Sequence, residues 1–226
     1  MGDLFTSNLA VDLGTVEYSE ALDLQKELVN LVDKGLIGDV LLILEHPPVY
    51  TVGRGKKPEN YIGIKVVETE RGGDVTYHGP GQLIFYPIIN LKKLGLMDVR
   101  KFVLKLEEVF ILSLESLGYN GSLGSEPGIW VEGKKVASIG LAIKNGISYH
   151  GVAVNISQDV IPWFSRIRPC GLDPGTIGFV DVDRSALKNS VLVSFSIKFH
   201  PFETISFPDF REILNNIHYL RLDNGK

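Results

Sequence analysis

The most constraining feature of this chain is a pair of apolar segments hinged on Asn145-Gly146. Asn-Gly accommodates positive φ at both central positions of a two-residue turn, and that turn has the twist antiparallel strands require. Val136 to Ile143 and Ile147 to Asn155 therefore read as a β-hairpin. Ile129-Trp130-Val131 precedes it across the turn Glu132-Gly133, which adds a third strand. Such a meander needs an apolar cover, and the sequence offers helices for it. Ser19 reads as the cap of a helix through Lys34, with Leu24, Leu28, Leu31 and Val32 at helical spacing and Gly35 as its stop. Asp98 reads as the cap of a second, with Phe102, Leu106, Val109, Phe110 and Leu117 on one side and Gly118 at its end.

Val40 to Leu44, Val49 to Val52 and Leu83 to Ile89 are short enough to be strands. Val191 to Phe199 fits either a strand or a helix, because both spacings place apolar residues on one side. A last helix spans about Asp209 to Leu220. Helices set between groups of hairpin-linked strands imply an α/β fold with a mixed sheet. At 226 residues the expectation is a single domain, 1–226.

The charge balance, 23 basic residues against 27 acidic, lacks the basic footprint of a nucleic-acid binder. No apolar run approaches the roughly 18 residues of a membrane helix. Cys170 is the sole cysteine, so the chain can form no internal disulfide and no thiolate zinc site of its own. No HxxxH or HExxH spacing occurs either, and no metal site is expected. Met1-Gly2-Asp3-Leu4-Phe5-Thr6 lacks the basic start and apolar core of a signal peptide, though it formally fits a myristoylation pattern. The expected location is the cytoplasm.

Chemistry concentrates in Arg71-Gly72-Gly73-Asp74-Val75-Thr76-Tyr77-His78 and the Gly79-Pro80-Gly81-Gln82 that follows. Glycines there let backbone approach a ligand and turn N–H groups toward an anion or oxyanion. The stretch is neither a Walker loop nor a dinucleotide fingerprint. Cys170 sits after Arg166-Ile167-Arg168-Pro169 and before Gly171, a setting that favours thiolate over a buried apolar role.

The stretch from Arg71 to Leu91 resembles the signature of the lipoyl(octanoyl) transferases. Four further blocks match in that family's order: Pro127-Gly128-Ile129-Trp130, Lys135-Val136-Ala137-Ser138-Ile139-Gly140, His150-Gly151-Val152-Ala153-Val154-Asn155 and Pro169-Cys170-Gly171. The likeness runs from about residue 40 to about 180. Val154 replaces the family's usual leucine, and Thr176-Ile177-Gly178 departs from its usual end.

The resemblance implies a biotin/lipoate protein ligase-like fold: one domain with a mixed, largely antiparallel sheet flanked by helices. It implies octanoyl transfer from octanoyl-acyl carrier protein to a lysine of a lipoyl domain, in 2-oxoacid dehydrogenase complexes or the glycine cleavage H protein. Cys170 becomes the acyl-thioester nucleophile and Lys135 its partner, with no cofactor. Residues 71 to 78, Ser138, Ile139, Gly140, His150, Gly151, Val152 and Ala153 become substrate-binding, with the two histidines orienting the acyl carbonyl end or the dyad. On regular strand parity Lys135 shares a face with Ala137, Ile139, Leu141 and Ile143, and a lysine desolvated there suits a base. Oxyanion donors are expected from the glycine segments or the Cys170-Gly171 turn. Arg54, Lys56, Lys57 and Arg71 form a basic patch suited to an acidic carrier. The rival readings are an ATP-dependent ligase of the same fold, an amidotransferase moving octanoate between lipoyl domains, and a non-catalytic carrier-binding protein.

Overall fold

The computed structural model describes residues 5–223, with side chains as far as residue 219. Most of the formal myristoylation pattern, Met1 to Leu4, lies outside the described residues. In chain order the elements are β1 (Leu9–Thr15), α1 (Tyr18–Asp33), β2 (Val40–Glu45), β3 (Val49–Val52), β4 (Val67–Glu68), β5 (Val75–His78), β6 (Gln82–Ile88), α2 (Val99–Glu115), β7 (Gly128–Val131), β8 (Lys134–Lys144) and β9 (Ile147–Asn155). There follow α3 (Ile161–Phe164), α4 (Arg184–Lys198), β10 (Glu203–Ile205) and α5 (Phe207–Asp223).

Seven strands form one mixed sheet in the order β10-β1-β2-β6-β9-β8-β7. β1 pairs parallel with β10 and β2, and the remaining neighbours are antiparallel. The run Val40 to Leu44 is wholly apolar because β2 is buried on both faces. Leu42 and Leu44 pack with Leu28, Leu31 and Val32 of α1 and Phe210 of α5. Leu41 and Ile43 point the other way, to Phe102, Leu106 and Phe110 of α2 and Val191 and Phe195 of α4. A small sheet, β4-β3-β5, covers a third cluster built from Tyr50, Tyr77, Phe164 and Ile167.

The hairpin forms as expected, with φ of 55° at Asn145 and 77° at Gly146. Asp98 caps α2 by accepting from the Arg100 and Lys101 N–H groups. Ser19 caps nothing. Helix α1 starts at Tyr18, and Glu17 stands at the cap position without a side-chain bond. Tyr18 is buried and packs by its ring against His46 and stacks on His78, so tertiary contacts hold this helix start. The ambiguous segment is helix up to Lys198. Asp183 caps α4 through Ser185 and Ala186, leaving Val191 and Phe195 buried while Val193 and Ile197 face solvent.

Candidate active site

β5, β6, β8, β9 and the turn after α3 surround a cavity of about 330 Å³. Cys170 and Lys135, 35 residues apart in sequence, both line it. Cys170 lies in the turn Pro169–Gly171 with φ 55° and ψ 25°, a left-handed conformation that only surrounding contacts can impose on a non-glycine residue. Those contacts are specific. The Arg168 N–H donates to the Asn60 carbonyl at 2.9 Å. The Asn60 side chain donates to the Asp74 carboxylate, whose other oxygen accepts from the Lys57 N–H at 3.0 Å. Asp74 thus fastens the 57–60 loop and, through it, the cysteine turn. Gly73 lies beside the thiol: a Cβ on it would stand 3.9 Å from the Cys170 Sγ.

Lys135 is 5% exposed. The parity argument chose this residue, but strand β8 is not regular there. Trp130 pairs with Lys135 and Ile129 with Ala137, so Val136 is an extra residue and a bulge interrupts the alternation. Ala137, Ile139, Leu141 and Ile143 pack toward α2 and α4, with Ile139 and Leu141 also reaching the cavity, and Lys135 lines that cavity with Ser138 and Gly140. On the far side of β8, the Lys135 carbonyl accepts from the Gly178 N–H at 3.0 Å. Burial pulls the Lys135 amine below its ordinary value, opposed by the negative charges of Cys170, Glu126 and Glu107. Lys134 is exposed, and its Nζ bonds the Gly175 carbonyl.

Arg71 is buried rather than part of a surface patch. It donates to the Thr51 carbonyl and hydroxyl and to the Gly72 carbonyl, and its charge acts on Cys170. Gly72, Gly73, Asp74, Val75, Thr76, His78, Ser138, Ile139, Gly140, His150, Gly151, Val152 and Ala153 all line the cavity. Tyr77 does not. It points into the third cluster, stacked on Trp163 at 5.2 Å, while Val75 on the same side of β5 reaches both that small core and the cavity. Two expected oxyanion donors are already engaged: the Gly72 N–H donates to the Leu141 carbonyl and the Gly171 N–H to the Arg168 carbonyl. Gly151 is required where β9 runs on beside β6 past the Phe85–Val152 pair, since a Cβ there would overlap the Phe85 carbonyl. Among the described residues no group of three or more His, Cys, Asp or Glu side chains is placed to hold a metal ion, and no helix is long and apolar enough to cross a membrane.

Tyr18, Tyr86, Glu126, Val99 and Val103 line the cavity without having been singled out in the sequence. The tyrosines join a buried cluster with three histidines. His78 stacks near Tyr18 and its Nδ1 meets the Gln82 Oε1 at 3.2 Å, while His46 Nε2 meets the Tyr86 hydroxyl at 2.9 Å. Burial pulls His46 and His150 down to about 4 and holds His78 well below its ordinary value. All three are neutral near pH 7, which suits a pocket for an uncharged chain. A group whose folded pKa lies below its unfolded value near 6.5 contributes stability in full above that value. It loses the contribution as pH falls toward the folded value. His46 alone is expected to cost about 2 kcal/mol at pH 5 relative to neutral pH. The drop in Tm between pH 7.5 and pH 5 should be smaller in His46→Gln than in the native chain; equal drops would remove His46 from the account.

The seven-stranded mixed sheet with its helices on both faces defines the ligase-type catalytic fold. It superimposes on the crystal structure of lipoate-protein ligase A bound with ATP, with a TM-score of 0.67 at 16% identity, covering 95% of this chain and 94% of that one. It also matches the lipoate protein ligase of an archaeal lipoylation system from Thermoplasma acidophilum, TM-score 0.66 at 16% identity, covering 94% and 92%. More narrowly, the chain belongs to the lipoyl protein ligase A/B catalytic domain family, whose model matches residues 17–176. It is similar to the octanoyltransferase of Alkaliphilus metalliredigens, 39% identical over 216 residues, which are 91% of this chain and 94% of that protein. It is also similar to the octanoyltransferase of Geobacter metallireducens, 45% identical over 166 residues, 71% of this chain and 76% of that protein.

Proposed function

We propose that this protein carries octanoyl from octanoyl-acyl carrier protein to a lysine of a lipoyl domain, through a thioester on Cys170. It is an acyltransferase of protein lipoylation, and its octanoyltransferase relatives match over most of their length. The observation that carries the mechanism is the meeting of Cys170, Lys135 and Arg71 in one cavity, whose wall also holds neutral histidines, two tyrosines and a run of glycine and apolar side chains. Residues 1–226 act as a single catalytic unit.

Lys135, its amine held below its ordinary value by burial, takes the Cys170 proton and leaves a thiolate beside an ammonium. The thiolate attacks the donor thioester carbon, and the carrier leaves as a thiol after taking the Lys135 proton. The amine of the acceptor lysine then attacks the octanoyl-Cys170 thioester. Neutral Lys135 takes the surplus proton, Cys170 leaves as thiolate and the ion pair is restored. A thioester becomes an amide, and every proton is accounted for without nucleotide or metal. The acceptor is a lipoyl domain of a 2-oxoacid dehydrogenase complex or the glycine cleavage H protein, and the setting is cytoplasmic.

Intact mass spectrometry after mixing with octanoyl-acyl carrier protein, without ATP, tests the reading. One octanoyl adduct, released by hydroxylamine, is expected. A strict ATP requirement would instead mean a ligase. Loading only from an octanoylated lipoyl domain would mean an amidotransferase, and carrier binding with no adduct a non-catalytic role.

The donor's acidic surface needs a basic partner. With Arg71 buried, the exposed candidates are Arg54, Lys56 and Lys57, on the loop that also positions Cys170. Lys56 already pairs with Glu68 at 2.8 Å. Reversing these charges is expected to slow acylation several-fold at low salt by slowing association. The defect should shrink at high salt, because screening acts over roughly 10 Å at 0.1 M. An unchanged rate at low salt would rule the loop out.

A further inference from the structure

Helix α2 turns a buried face toward β7 and β8, and one residue on that face is charged. Glu107 is 5% exposed, between Leu106 and Phe110 of the core. Its Oε1 accepts from the Gly128 N–H at 3.0 Å. Gly128 has φ 142°, and the Lys135 Cε passes 2.7 Å from where a Gly128 Cβ would stand. The lysine stem therefore lies against the Gly128 backbone that Glu107 holds. The charges acting on the Lys135 amine are Cys170, Glu126 and Glu107. Cys170 carries no charge once it is acylated. Glu126 is half-buried on the loop before β7. Glu107 is the carboxylate fixed by a helix and a hydrogen bond throughout the cycle.

We propose that Glu107 is a positioning residue for the transfer reaction: it fixes the Gly128 wall that aims Lys135 and supplies a permanent counter-charge that keeps Lys135 able to hold a proton when Cys170 is acylated. This rests on the reading of Lys135 as the proton carrier. A buried ammonium without a counter-ion would shed its proton early. It could not then protonate the departing carrier thiolate.

The test is the titration of Lys135 followed by NMR in the full-length chain with 13Cε-labelled lysine, in a Cys170→Ala background that removes the thiol's own charge. Glu107→Gln keeps an oxygen acceptor for the Gly128 N–H and removes the charge. The Lys135 midpoint is expected to fall by roughly one pH unit. With Cys170 present, Glu107→Gln should move the alkaline limb of thioester formation down by the same amount. On that limb the rate should drop on the order of tenfold and recover at lower pH. Glu107→Asp, which keeps the charge, should leave the midpoint within a few tenths of a unit and provides the second reading should the Gln variant fold poorly. An unshifted midpoint in Glu107→Gln overturns the proposal whether or not transfer falls, and so does a fall in Glu107→Asp as large as in Glu107→Gln. Failure of the native chain to form any octanoyl adduct would instead overturn the transferase mechanism, while the titration would still report the Glu107–Lys135 coupling.

Discussion

Replacing Cys170 with serine is expected to abolish the hydroxylamine-labile octanoyl adduct and to lower transfer on the order of 10⁴-fold or more. The change is nearly isosteric, so the turn itself should survive. The Asn60 carbonyl still holds the Arg168 N–H, and Asp74 still holds Asn60. What disappears is ionisation. A thiol is a far stronger acid than a hydroxyl in the same place, so the thiol can hand its proton to Lys135 and attack as thiolate where the hydroxyl cannot. The two cations that help the native thiolate are themselves buried, so they cannot be replaced by solvent ions. Intact mass and a lipoyl-domain transfer assay measure the two losses separately. Full turnover by the serine variant would sink the nucleophile assignment and leave the left-handed Cys170 turn without a catalytic explanation.

Local chemistry made part of this structure legible in advance. Asn145-Gly146 forced a hairpin, Asp98 capped α2, and Val40 to Leu44 was too short and too apolar for anything but a doubly buried strand. What was not legible depends on contacts distant in sequence. The start of α1 follows from Tyr18 packing on His46 and His78, which no capping rule contains. Val193 and Ile197 are 61% and 64% exposed, and these surface apolar residues give the second half of α4 its false strand alternation. β1 and β10 escaped notice because parallel pairing with a distant partner leaves no turn signal between them. In the site, the glycine-rich segment and the cysteine turn were visible as residue types. Tyr77 was placed with its neighbours because a sequence block does not say which of its side chains alternate away. Tyr18, Tyr86 and Glu107 were invisible for the opposite reason: each is an ordinary residue in its own element, brought to the cavity region only by the sheet order.

Lys135→Met is expected to lower octanoyl transfer on the order of 10²- to 10³-fold, while Lys134→Met should stay within about twofold of the native rate. Methionine keeps most of the stem's volume against Gly128 and removes the amine. Two steps then suffer together. The thiol loses its proton acceptor, so alkylation of Cys170 should slow, with Arg71 left as the remaining nearby cation. The acceptor lysine loses its proton sink, so release of octanoyl from the thioester should slow even when loading is forced with excess donor. Lys134 offers a matched control, one residue away with the same chemistry. It is exposed and tethered to the Gly175 carbonyl, and the bulge at Val136 does not bring it into the cavity. The sequence argument preferred Lys135 because a regular strand would set it among apolar neighbours. In the structure the strand is bulged at Val136, and Lys135 nonetheless lines the cavity that holds Cys170 while Lys134 does not. Transfer rates and alkylation profiles of the two variants, measured side by side, decide the assignment. Equal loss in both, or slowed alkylation only in Lys134→Met, would show that Lys135 is not the lysine that serves Cys170.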